Sequence, residues 1–167
     1  MDGRSLYDED VYAWAQQQAD ALRRLAHSRQ NLPNELDLEN VAEEIEDVGW
    51  SRRDAAESFI RLILVHLLKL SAAPGSSPAK HWRREIVSFH NELLSKLTPS
   101  MWARIDVDLL WARAIKEARA GLEAEEVSGF DPNLLERLRT CPLGLSLLAR
   151  EDFEIEAAVE QIRDLLR

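Results

Sequence analysis

Three carboxylates, Glu39, Glu43 and Glu46, stand at intervals of four and three residues, the spacing that aligns side chains along one face of a helix. Hard cations bind such oxygen clusters, so the row is a candidate metal or acid–base site. It is equally the solvated flank that any amphipathic helix carries. Arg53 and Arg61 offer a simpler use for the row. If the chain turns back at Gly49-Trp50 as an antiparallel helical hairpin, Glu46 lies opposite Arg53 and Glu39 near Arg61, which makes ion pairs. No metal is assigned to the row, and no motif asks for another cofactor.

His66 projects from the same helical face as Phe59, Leu62, Ile63 and Leu70. An imidazole among such neighbours needs a hydrogen-bond partner. Its ordinary pKa near neutrality suits a general base or a metal ligand, but a core histidine held by one hydrogen bond is the commoner arrangement. In the hairpin geometry Glu39 stops about 8 Å short of it, at helical rise. An acidic partner is therefore expected elsewhere, with Asp8 and Asp10 as candidates.

Other chemistries find less. A carboxylate-bridged di-iron bundle uses Glu-x-x-His pairs, yet His27, His66, His81 and His90 follow Arg24, Ile63, Pro78 and Val87 at that spacing. Cys141 sits beside Pro142 with no signposted base, and neither a nucleophile elbow nor a glycine-rich phosphate loop occurs. Lys80, His81, Arg83 and Arg84 surround Trp82, a composition that can stack a base or hold a phosphate. Glu85 adjoins them, so a solvated face is the plainer reading. The tryptophans are packing residues by their spacing, except Trp111, which falls off its stripe and suggests a contact surface.

The elements that must position these residues are helices. Glycine and proline cluster in breaks, and leucine, alanine, glutamate and arginine dominate between them. A first helix is expected after an acidic cap near Asp8, with Val11, Trp14, Ala15, Leu22 and Leu25 as its stripe. Asp37 caps a second, striped by Leu38, Val41, Ala42, Ile45 and Val48 and stopped by Gly49 as a C-cap. Ser51 and Asp54 resemble a capping box for a third, running to Ala73. Between Phe59 and Leu70 that helix is apolar on nearly every face, which marks it as buried. Ser77-Pro78 opens a fourth helix with Trp82, Ile86, Phe89, Leu93 and Leu97 inward. Thr98-Pro99 opens a fifth with Trp102, Ile105, Leu109 and Ala112 inward. Asp131-Pro132 begins a shorter helix ended by Cys141-Pro142, and Ile155, Val159, Ile162 and Leu166 mark an amphipathic C-terminal helix.

Composition sets the frame. A chain of 167 residues with 46% hydrophobic and 31% charged residues has the balance of a globular domain that needs no staples. The net charge of -9 repels phosphate backbones and anionic lipid surfaces, so nucleic acid is disfavoured as a partner. A single cysteine, Cys141, leaves no intramolecular disulfide and fits a reducing, cytoplasmic setting. The first residues carry acids and no apolar core, unlike a secretory signal. The most apolar run, Leu62 to Leu68, is interrupted by His66 and far shorter than the roughly 20 residues of a membrane span.

Several segments together carry a resemblance: LYDEDVYAWA, ELDLENVAEEIEDVG, LLKL after His66, Trp82-Arg83, and Cys141-Pro142 followed by Asp152-Phe153. The chain resembles, over Leu6 to Phe153, the bacterial family called domain of unknown function 29. The resemblance implies an all-helical fold, a bacterial origin and no established activity, substrate or cofactor. It places the family's polar motif on Asp10, Glu39, Asn40, Glu43, Glu44, Glu46, His66, Lys69, Trp82 and Arg83. Leu70 stands where the family usually has an aromatic residue, and the helix beyond Phe153 lies outside the recognised part.

The expectation is an all-α fold, an irregular bundle of five to seven helices around a central buried helix at about 52–73. Residues 1–153 form one helical domain, and 154–167 an amphipathic helix packed on it or at an oligomer contact. The candidate polar site comprises Asp10, Glu39, Glu43, Glu46, His66, Trp82 and Arg83. The favoured function is a non-catalytic helical interaction or regulatory module with a protein partner or self-association. The alternative is a metal-assisted or acid–base hydrolase using the carboxylates with His66 and Arg83. No small-molecule ligand is assigned.

Overall fold

The computed structural model describes residues 3–28, 33, 35–127 and 140–166. Among these the fold is all-helical: α1 (Gly3–Glu9), α2 (Val11–Ser28), α3 (Leu38–Ala72), α4 (Ala79–Lys96), a 3-10 turn (Pro99–Met101), α5 (Val107–Ala124), α6 (Leu145–Leu148) and α7 (Ile155–Leu166). They divide into two compact units, residues 1–55 with 96–105 and residues 56–95 with 106–167. The helix expected between Asp131-Pro132 and Cys141-Pro142 lies outside the described residues.

In the first unit, the chain breaks at Asp10 and not near Asp8. The Asp10 carboxylate caps α2 by accepting from the Ala13 N–H at 3.0 Å. The buried stripe of α2 is Tyr12, Ala15 and Ala19, whereas Leu25 of the expected stripe is exposed. Small residues there let another backbone come close, and that explains the largest correction. Gly49 ends no helix. It lies within α3, which runs unbroken for 35 residues, about 52 Å at helical rise. A Cβ on Gly49 would stand 3.1 Å from the Ala15 Cβ, so this glycine permits a close helix contact instead of turning the chain. Packing of this kind outweighs the roughly 1 kcal/mol by which glycine disfavours a helix interior. There is accordingly no hairpin at Gly49-Trp50 and no cap at Ser51. Asp37 does cap α3, accepting from the Asn40 N–H at 3.2 Å.

The second unit holds the C-terminal half of α3 as its core. Ile60, Ile63, Leu64, Leu67, Leu68 and Leu70 are completely buried, as an all-round apolar helix requires. From α4, Trp82, Ile86 and Leu93 pack inward as expected, with His90 beside them. Thr98-Pro99, which belongs to the first unit, starts only the 3-10 turn. Asp106 opens α5, accepting from the Leu109 N–H at 3.0 Å. That later start rotates the stripe: Trp102 and Leu109 are exposed, while Trp111, expected on the surface, is completely buried with Leu110, Ala114, Ala118 and Leu122. In α7, Ala158, Val159 and Ile162 are buried, and the Ser71 hydroxyl reaches the Val159 carbonyl at 3.3 Å. No described helix is long and apolar enough to cross a membrane.

Candidate functional site

The expected site residues fall in both units. Asp10, Glu39, Glu43 and Glu46 belong to the first, His66, Trp82 and Arg83 to the second. All but Glu43 acquire a local partner that only the folded chain reveals.

In the first unit, Asp10 does more than cap α2. It accepts from the Ser100 N–H at 3.0 Å, the Ser100 hydroxyl at 2.7 Å and the Thr98 hydroxyl at 2.8 Å, so it ties the 3-10 turn to the start of α2. Burial alone would raise its pKa, but these donors and the Ala13 N–H together hold it below the ordinary carboxylate value. Glu46 receives the Arg23 guanidinium at 2.6 Å, and Glu39 stands 4.0 Å from the exposed His27. The pairs expected of a hairpin do not form: Arg53 meets Asp54 at 3.1 Å, and Arg61 is bonded to Glu117. Glu43 is exposed on the same flank. Among the described residues no three histidine, cysteine or carboxylate side chains come together as a metal site.

In the second unit the acidic partner of His66 is Glu85 of α4, at 3.1 Å, not Asp8 or Asp10. The same carboxylate oxygen lies 3.3 Å from Nε2 of His81. Burial, the leading cause, lowers the His66 pKa. Glu85 opposes that shift, while Lys69 and His81 add to it. The ring stays within 3.1 Å of Glu85 through Nε2, stacks on Phe89 at 5.8 Å between centroids and leaves Nδ1 buried without a hydrogen-bond partner.

One turn on, Lys69 is buried. Its ammonium bonds Glu125 at 2.8 Å and lies 5.3 Å from the Trp82 ring centroid, a cation–π distance. Gly121 makes the room, since a Cβ there would stand 2.6 Å from the Lys69 side chain. Trp82 is only 2% exposed and its face is taken, so the basic residues around it frame no stacking platform. Arg83 turns to Glu156 of α7 at 2.7 Å. Cys141 is also withdrawn from chemistry, because burial pushes its thiol up to about 11.

Glu85 and Glu125 were missed at the level of sequence. His81 and Glu85 are four apart, a visible helical pair, but the register that brings His66 and Lys69 to these carboxylates is a property of the packed helices.

A different feature stands out on the first unit. Tyr7, Leu36, Val41, Val48, Trp50 and Trp102 are all exposed by more than a third. Val48 borders an open groove of about 640 Å³ with Glu44, Asp47, Ser51, Arg52, Ala55 and Lys96.

Residues 6–153 match the model of the family described as domain of unknown function DUF29. The chain belongs to this family. A solved structure agrees with the DUF29 fold found here: an alpha-helical protein of unknown function from Rhodospirillum rubrum is 41% identical, with a TM-score of 0.83, covering 93% of this chain and 96% of that one. No curated protein matches the chain. As a DUF29 member it shares its helical fold with a protein of unknown function.

Proposed function

We propose that this protein acts as a non-catalytic helical interaction module whose working surface is the N-terminal half of α3. The carrying observation is that Val41 and Val48, seven residues apart and so on one face, stand 39% and 48% exposed on that half of the helix. Exposed apolar residues grouped on one element, rimmed by charge, are the composition of a protein-binding surface. A partner protein, or a second copy, is the natural occupant. A bacterial cytoplasmic setting belongs to this reading, supported by the single half-buried thiol of Cys141 and the bacterial source of the solved relative.

The hydrolase alternative draws on the His66–Glu85 pair, because a carboxylate that holds one ring nitrogen leaves the other as a base. That other nitrogen is buried, and Arg83 is engaged by Glu156. The interaction reading is therefore the better supported.

A photo-crosslinking residue at position 48, compared in living cells with one at the exposed Lys116 of α5, tests it. Discrete protein adducts are expected from position 48 and not from position 116. Equal or absent labelling at the two positions contradicts it.

A further inference from the structure

We propose that the exposed face of α3 around Val48 pairs with the same face of a second copy of this chain, the two helices running antiparallel about a two-fold axis at Val48. This rests on the interaction reading above and names its partner.

The argument begins with spacing. Val41, Val48 and Ala55 recur every seven residues, so they form a seam, one row along the helix that drifts only about 20° per repeat and one of the two rows by which two helices pack side by side. Val41 and Val48 are exposed and Ala55 half-buried, so the seam is open. Its residues are small, which lets two helices approach closely.

Charge then sets the orientation. Glu44 and Arg52 are both exposed and lie four residues to either side of Val48. About 12 Å separates them along the helix at 1.5 Å per residue, too far to pair within it. In an antiparallel dimer centred on Val48, position 48 meets its own copy, Val41 meets Ala55 of the other chain, and Glu44 meets Arg52 of the other chain twice over. Asp47 and Lys96 border the same groove and extend the alternation of sign. A parallel pair in the same register would set Glu44 against Glu44 and Arg52 against Arg52, and like charges in contact across an interface are strongly unfavourable. A surface that matches itself under a two-fold rotation is what an isologous dimer requires. The seam spans 15 residues from Val41 to Ala55, about 21 Å from end to end. A contact of that length is at the small end of specific interfaces, so the dimer dissociates on dilution.

The test is the solution mass of the full chain across a concentration series, by sedimentation or light scattering. Wild type is expected to move from monomer to dimer. Glu44→Arg alone and Arg52→Glu alone should each weaken the dimer by at least about tenfold, since each places like charges in contact twice. The double variant carrying both should recover the wild-type equilibrium, because the swap restores opposite charges at every pair. Circular dichroism confirms that the surface variants are folded. A chain that is monomeric throughout, a dimer indifferent to the single reversals, or a double variant no stronger than either single one overturns the proposal. Position-48 adducts at twice the chain mass support it. Adducts of another mass from a monomeric chain would sink the dimer and leave the interaction reading standing, and no adducts would sink both.

Discussion

The two halves of α3 are one helix with two fates. Over residues 56–72, Ile60, Ile63, Leu64, Leu67, Leu68 and Leu70 are completely buried and Val65 nearly so. Over residues 38–55, burial is confined to Leu38, Ala42 and Gly49, while Val41, Val48 and Trp50 face outward. A helix apolar all round has to be wrapped by its neighbours, whereas a striped one buries only the face on which small residues let another helix settle. The difference teaches where the protein keeps its stability and where it keeps apolar surface for something else.

The comparison can be broken most directly by truncation in each half. Leu67→Ala removes buried methyl groups and should cost about 2–5 kcal/mol, or about 2–4 °C in Tm for each kcal/mol. Val48→Ala, at low protein concentration, should stay within about 0.5 kcal/mol. Equal losses in calorimetry would show that both halves are core. Next in size is Asp10→Ala, which removes an N-cap and three bonds to the Thr98–Ser100 turn. A loss of about 1–2 kcal/mol is expected, with Asn at the same position recovering part of it. Because the folded-state pKa of Asp10 is depressed, its contribution is present above the ordinary value of 3.8 and is lost as pH falls through the lower, folded value. The smallest effect belongs to His66. Its folded-state pKa is likewise depressed, so the unfolded chain takes up a proton first, and stability declines as pH falls below the ordinary 6.5 towards the folded value. His66→Leu should flatten that part of a stability-against-pH curve. An unchanged slope would show that His66 is not the titrating group.

Much of this architecture is legible in the sequence, for an identifiable reason. The stretch from Phe59 to Leu70 is apolar on nearly every face, so most of it has to be interior, and the stripes of α4 and α7 repeat at helical spacing over several turns. Gly49 shows where such reading ends. Whether a glycine turns a chain or admits a neighbour depends here on Ala15, which is remote in sequence. The same applies to Thr98-Pro99, whose cap-like pattern yields one 3-10 turn, and to Trp111, which becomes core once α5 begins at Asp106. For the polar residues, type and spacing pointed to His66, Trp82 and Arg83 as places of interest. Their partners, Glu85, Lys69 and Glu156, come from the meeting of helices, and that register is written in the packing of both surfaces together.

Amide hydrogen exchange along α3, followed at low and high protein concentration, tests the central claim most directly. The account predicts slow exchange across residues 60–70 at every concentration, and protection across 41–55 that rises with concentration. Uniform protection along the whole helix, independent of concentration, would contradict it.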